Sequence, residues 1–212
     1  MLRAGLSGGL GAGKSTVGAM LGQLGAVVID TDQVARDVLA PGSAGERAVL
    51  AAFGPSVQTP LGSLDRSALA RRVFSSSEER LALEAITHPL IRRDVEARLR
   101  ALEESATGAA SPTVAVVEIP LLDRARRQEY KLDVVVLVEA PAGTALERAA
   151  QRGFSRLEAK ARMAAQPSSD ERRAAADRVI TNGGSLEQLK ASVDELWGWL
   201  VDMGSAKAAP AL

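Results

Sequence analysis

Residues 8 to 15 read Gly8-Gly9-Leu10-Gly11-Ala12-Gly13-Lys14-Ser15, and Thr16 follows. They fill the pattern Gly-x4-Gly-Lys-[Ser/Thr], which restricts the fold more than any other stretch of the chain. Glycine lets the backbone curl until successive N–H groups point inward, and a helix beginning near Lys14 aims its positive end at the same spot. The segment is an anion cradle. It requires a strand before it and a helix after it. Both are present in outline: Met1 to Leu6 is an apolar run broken by Arg3 and Gly5, and Val17-Gly18-Ala19-Met20-Leu21 continues beyond. In that setting Gly8, Gly9, Gly11, Ala12 and Gly13 supply the loop. Lys14 reaches the β and γ phosphates of a nucleoside triphosphate, the Ser15 hydroxyl ligates Mg²⁺, and Thr16 assists at the α phosphate. ATP or GTP is the predicted ligand.

A chain of 212 residues with 46% hydrophobic content can bury a full core as one domain, and 1–203 is expected to form it. Aromatic residues make up only 3%, so Ala, Val and Leu must build that core, which suits a parallel sheet covered by helices. The zero net charge advertises no polyanion, and no nucleic-acid partner is expected. With no cysteine, disulfides, thiolate metal sites and thiol nucleophiles are excluded. No apolar run has the length of a signal peptide or a membrane span, so the expectation is a soluble, cytoplasmic protein without a membrane partner. Its oligomeric state stays open.

Further strands are predicted at Ala26-Val27-Val28-Ile29, Thr113 to Val117, Leu132 to Val138 and Val179-Ile180, alternating with helical stretches. The alternation predicts an α/β fold: a doubly wound parallel sheet of about five strands. In such folds ligands sit at the carboxyl ends of strands, so Asp30 and Asp32, after the second strand, would face the phosphate crevice. Asp-x-Asp on extended backbone puts both carboxylates on one side. Asp32 then orients or deprotonates an acceptor hydroxyl, and Asp30 holds Mg²⁺ through water. Alternatively Asp32 only caps the helix that begins at Gln33.

Gly and Pro punctuation marks off an inserted helical lobe over about 40–105. It carries the only histidine, His88, directly before Pro89. Proline predicts that a helix breaks and restarts there, exposing an imidazole that either contacts substrate or is structural. From 142 to about 177 arginines cluster, among them Arg148, Arg152 and Arg162. They suit either a mobile lid over a charged reaction or an exposed charged helix pair. Leu186 to Val201 is an amphipathic helix, and 204–212 is expected to be a disordered tail.

Several separated stretches together resemble the dephospho-CoA kinases. They are Gly5 to Val17, Ile29-Asp30-Thr31-Asp32 leading into Ala35-Arg36, Thr87-His88-Pro89-Leu90-Ile91, Ile119-Pro120-Leu121-Leu122, Gln151-Arg152, Arg162 to Gln166, and Ala176 to Gly184. The resemblance spans nearly the whole chain. It implies ATP-dependent phosphorylation of the ribose 3′-hydroxyl of dephospho-CoA, the last step of coenzyme A synthesis, with Mg²⁺ and a small-molecule acceptor. By the same resemblance Asp32 is the base and His88 lies near the acceptor; from the loop and the arginine cluster, Lys14, Arg148 and Arg152 are assigned to catalysis and Arg162 to the substrate. The fold implied is a nucleotide-binding core with a helical acceptor-side lobe and a lid. Asp123-Arg124 stand where the family usually has Phe-Glu, and Ser7 and Ala12 replace the commoner Thr and Ser. A shikimate-type or nucleoside monophosphate kinase would use the same loop and acids, and a nucleotide-dependent switch would share the loop alone.

Overall fold

The computed structural model describes residues 1–105, 113–120 and 124–208. Leu121, Leu122 and Asp123 of the Pro-Leu-Leu stretch, and 209–212 of the expected tail, lie outside the described residues. Five parallel strands form one sheet: β1 (Leu2–Gly8), β2 (Val27–Asp30), β3 (Val114–Ile119), β4 (Val134–Glu139) and β5 (Arg178–Thr181). Their order is β2-β3-β1-β4-β5, so the strand that feeds the glycine loop is central.

Every residue of β1, β3 and β4 is buried, as expected where helices cover both faces and the strands are near-continuous apolar runs. The edge strands β2 and β5 are short and partly exposed. Arg3 is tolerated inside β1 because its guanidinium is satisfied: Nε and NH2 donate to the Glu103 carboxylate at 3.2 and 3.1 Å. Helices α1 (Lys14–Gln23) and α10 (Leu186–Ala208) contribute Val17, Leu21, Leu189, Val193, Leu196 and Leu200 to the core around Leu2, Leu6, Val116 and Val136.

The chain divides into two compact units. One comprises Met1–Asp30 and Leu99–Leu212 and holds the sheet; the other is Thr31–Arg98. The second unit contains α2 (Thr31–Val38), α3 (Ala44–Phe53), a short 3-10 turn (Pro55–Val57) and α4 (Arg66–Ser75). It also holds most of α5 (Ser77–Ser105). Its own core is Val49, Phe53, Val57, Leu64 and Leu69. The buried Glu46 carboxylate ties it together, accepting the N–H groups of Gly42 and Leu64 at 2.5 and 2.9 Å. Those two backbone donors, Leu64 first, hold its carboxyl below the usual range.

The structure departs from three expectations of the sequence. Helix α2 starts at Thr31, directly at the strand end, so Asp32 stands on helical rather than extended backbone, in the first turn where the helix dipole favours an acid. Helix α5 does not break at Pro89 but runs through it. The ring removes one intrahelical donor, which a helix of 29 residues tolerates, and Thr87 Oγ1 bonds back to the Leu83 carbonyl at 2.9 Å beside it. The last helix continues through Ala208, well into the stretch expected to be tail, because Gly204 is buried and Lys207 Nζ donates to both Asp133 carboxylate oxygens at 2.8 and 2.7 Å.

In the sheet unit, α6 (Arg124–Glu129), α7 (Ala142–Gln151), α8 (Arg156–Ala164) and α9 (Ser169–Ala174) complete the fold. Among the described residues, no helix is long and apolar enough to cross a membrane.

Candidate active site

The loop between β1 and α1 turns tightly on itself: Ala12 N–H donates to the Gly9 carbonyl at 3.1 Å and Thr16 N–H to the Gly13 carbonyl at 3.0 Å. Gly11 and Gly13 have φ of 72° and 91°, a region that side chains disfavour. Among the described residues, the backbone N–H groups of Gly11, Gly13, Lys14 and Ser15 have no protein acceptor. Four donors are therefore left available at and just before the positive end of α1, the chemistry an anion needs.

Lys14 is fixed from the side of β3. Its Nζ donates to Glu118 Oε2 at 2.6 Å, and both side chains are nearly buried. Glu118 lies in register between Leu6 of β1 and Asp30 of β2, so Glu118 and Asp30 share the carboxyl edge of the sheet beside the loop. Gly18 makes this seating possible, since a Cβ there would fall 1.8 Å from Glu118 Oε1.

The opposite side of the loop is held from the end of β5. Asn182 Nδ2 donates to the Ala12 carbonyl at 2.9 Å. Arg148 donates to the Asn182 carbonyl at 3.1 Å and to its Oδ1 at 3.2 Å. A cavity of about 330 Å³ opens here, lined by Gly13, Thr16, Arg148, Arg152 and Leu189 among others.

A model of the dephospho-CoA kinase family (CoaE) matches residues 2–188 of this chain. The chain belongs to the dephospho-CoA kinase family. The dephospho-CoA kinase of Frankia casuarinae is 48% identical over 209 residues, covering 98% of this chain and 87% of its own. That of Moorella thermoacetica is 46% identical, covering 91% and 89%. Among solved structures, TT1252 from Thermus thermophilus superposes with a TM-score of 0.73 at 36% identity, covering 94% of this chain and 97% of its own. The dephospho-CoA kinase from Campylobacter jejuni gives 0.69 at 25% identity, with the same coverage. The chain is thus an enzyme of the kinase class on a parallel α/β core.

Within this family member the residues singled out from sequence are distributed as follows. Gly8 to Gly13 form the loop, and Lys14, Ser15 and Thr16 open α1, with Ser15 and Thr16 exposed. Arg148 and Arg152 lie on and just after α7, around the smaller cavity. Arg162, on α8, stacks its guanidinium on the Phe154 ring at 4.8 Å. Asp30 ends β2, while Asp32 and His88 belong to the helical unit, both exposed.

Four residues escaped assignment from sequence: Glu118, Asn182, Gln166 and Arg172. Glu118 and Asn182 could have been found, because each stands at or just past the carboxyl end of a predicted strand. At the end of β4, Glu139 accepts from Ser169 Oγ at 2.5 Å and Arg173 Nε at 2.7 Å. Burial alone would raise its carboxyl; the Ser169 and Arg173 bonds outweigh that and hold it below the usual range.

Proposed function

We propose that this chain transfers the γ-phosphoryl group of ATP to the ribose 3′-hydroxyl of dephospho-CoA, giving coenzyme A and ADP. The observation that carries this is the four-donor cradle at the start of α1, in a chain related to dephospho-CoA kinases along nearly its whole length. The loop N–H groups hold the triphosphate and Lys14 contacts its β and γ oxygens. Asp32 takes the proton of the 3′-hydroxyl as its oxygen bonds to the γ phosphorus and the bond to the β,γ-bridging oxygen breaks. Arg148 and Arg152 face the phosphate chain from the Gly13 and Thr16 side, and the α7–α9 stretch serves as the lid that excludes water. His88 and Arg162 contact the acceptor.

Ser15 and Asp30 are hard oxygen donors at the loop and the neighbouring strand end, a set suited to Mg²⁺. Among the described residues no three His, Asp or Glu side chains could hold a metal by themselves, so the ion would be shared with phosphate oxygens. Bound there, Mg²⁺ would neutralise charge between the β and γ phosphates. The absence of cysteine supports a cytoplasmic place of work.

The test is phosphoryl transfer from ATP with Mg²⁺ to dephospho-CoA, beside shikimate, AMP and no acceptor, for the wild type and Asp32→Asn. Product with dephospho-CoA alone, falling by about a hundredfold or more in the variant, is expected. Transfer to another acceptor would reject the substrate; unchanged turnover in Asp32→Asn would reject the base.

A further inference from the structure

A second, larger cavity of about 680 Å³ lies on the other flank of the loop, between Gly9–Leu10, the end of β4 and the α8–α9 segment. Two residues of that segment reach the loop itself. Gln166 Oε1 accepts the Leu10 N–H at 3.3 Å and sits 3.0 Å from where a Cβ on Gly9 would begin. The Arg172 guanidinium carbon lies 3.9 Å from the same point. Glycine at position 9 leaves room for both.

Arg172 and its neighbour Arg173 are held differently. Arg173 is exposed and forms the close pair with Glu139 at 2.7 Å. Arg172 is mostly buried, and its NH2 stands 3.9 Å from Glu139 Oε1. Its NH1 donates to the Pro167 carbonyl at 2.6 Å, while its Nε is buried with no hydrogen-bond partner among the described residues. One carboxylate thus serves two guanidinium groups, leaving surplus positive charge and an unmet buried donor beside the phosphate loop. Unmet buried donors are rare and call for a cause.

We infer that Arg172 is the arginine that meets the terminal phosphate of the triphosphate, and that Gln166 positions it by tying α8–α9 to Leu10. This rests on the phosphotransfer function proposed above. The two cavities flank the loop, one at Gly13 and Thr16 and the other at Gly9 and Leu10. With the nucleoside in the smaller cavity and the inner phosphates at the start of α1, the γ phosphate projects toward Gly9, where Arg172 waits. Arg148, Arg152 and Arg162 do not occupy that flank: the first two line the smaller cavity and the third stacks on Phe154.

The test is calorimetric binding of ADP and of β,γ-imido-ATP, each with Mg²⁺, to the wild type, Arg172→Met, Arg172→Lys, Arg173→Met and Gln166→Met. Arg172→Met is expected to weaken imido-ATP binding about tenfold or more and ADP binding less than about threefold, as loss of a charge-assisted contact to one phosphate requires. Gln166→Met shifts the same ratio by about threefold, Arg172→Lys recovers part of the loss, and Arg173→Met leaves the ratio unchanged.

Equal losses for both nucleotides, or an Arg173→Met variant as impaired as Arg172→Met, would make Arg172 a structural partner of Glu139 and overturn the inference. Should Arg172→Met fail to fold, the Lys and Gln166 variants decide it: no change of ratio in either overturns it. Nucleotide discrimination needs no acceptor, so a wrong acceptor assignment would leave this result intact and appear only in the transfer assay.

Discussion

The side-chain amide of Asn182 donates to the carbonyl of Ala12 across 170 positions of sequence, at 2.9 Å. A Cβ on Gly13 would fall 2.1 Å from that same Nδ2, so the amide occupies the space that glycine leaves open. The far end of the sheet therefore sets the shape of the loop. Asn182→Ala leaves the Ala12 carbonyl and Arg148 NH2 without their side-chain partner, while Arg148 NH1 keeps its bond to the backbone carbonyl of residue 182; the loss of the two side-chain bonds predicts about 1–3 kcal/mol less stability. ATP affinity should fall about tenfold, the equivalent of about 1.4 kcal/mol. Asn182→Asp should do worse, since it sets an acceptor against an acceptor. Urea melts and nucleotide titrations check both.

Glu118 and Lys14 form a nearly buried pair, and removing one partner strands the other's charge. Glu118→Ala is expected to cost roughly 3 kcal/mol in urea denaturation, within the range for broken buried pairs. Gly18→Ala should move in the same direction although it carries no charge, because its Cβ would displace the Glu118 carboxylate. A Gly18→Ala protein as stable as the wild type would show that the carboxylate can be held elsewhere.

The Glu139 cluster predicts an acid dependence. Its folded-state carboxyl lies below the ordinary value of 4.5, so its stabilisation is complete above that value and is lost as the pH falls through the depressed one. The stability gap between the wild type and Glu139→Gln should hold steady from about pH 7 to about pH 5 and then narrow toward about pH 3. A gap that widens on acidification would reverse the sign and reject the assignment.

Pro89 sits within a continuous helix, and the Ala85 carbonyl four residues earlier lacks the donor that any other residue would supply. Pro89→Ala restores it and is expected to stabilise the protein by about 1–3 kcal/mol, less the chain entropy that proline removes from the unfolded state. Chemical denaturation measures this directly. A loss of stability would mean that the ring makes packing contacts worth more than the missing bond.

The sheet was legible in sequence because its strands are short runs of valine, isoleucine, leucine and alanine, and the loop because its glycines and Lys14 are local. What lay beyond reading depends on pairings that leave no local trace. Nothing around Gln166 announces Leu10, and nothing around Glu118 announces Lys14; each pair is closed by the fold, over 156 and 104 positions respectively. The arginine cluster over 142 to 177 includes both Arg162, which stacks on the Phe154 ring, and Arg172, in a helix of six residues beside the loop, and their spacing in sequence does not tell them apart. The rules for proline and for Asp-x-Asp on a strand failed for one reason: a helix in tertiary context outlasts a single missing bond and can begin directly after the last residue of a strand.

The place of β1 bears on how the protein comes into being. It is first in sequence yet central in the sheet, with Leu2 beside Val114 and Ala4 beside Val134. As the polypeptide leaves the ribosome, these apolar residues must wait without partners until β3 and β4 emerge. The phosphate cradle waits longer still, for the Asn182 that shapes it. A nascent fragment therefore exposes sticky sequence while lacking any nucleotide site, so ATP cannot rescue it as ligands rescue finished but unstable proteins. Protection over that interval has to come from chaperones or from speed of synthesis.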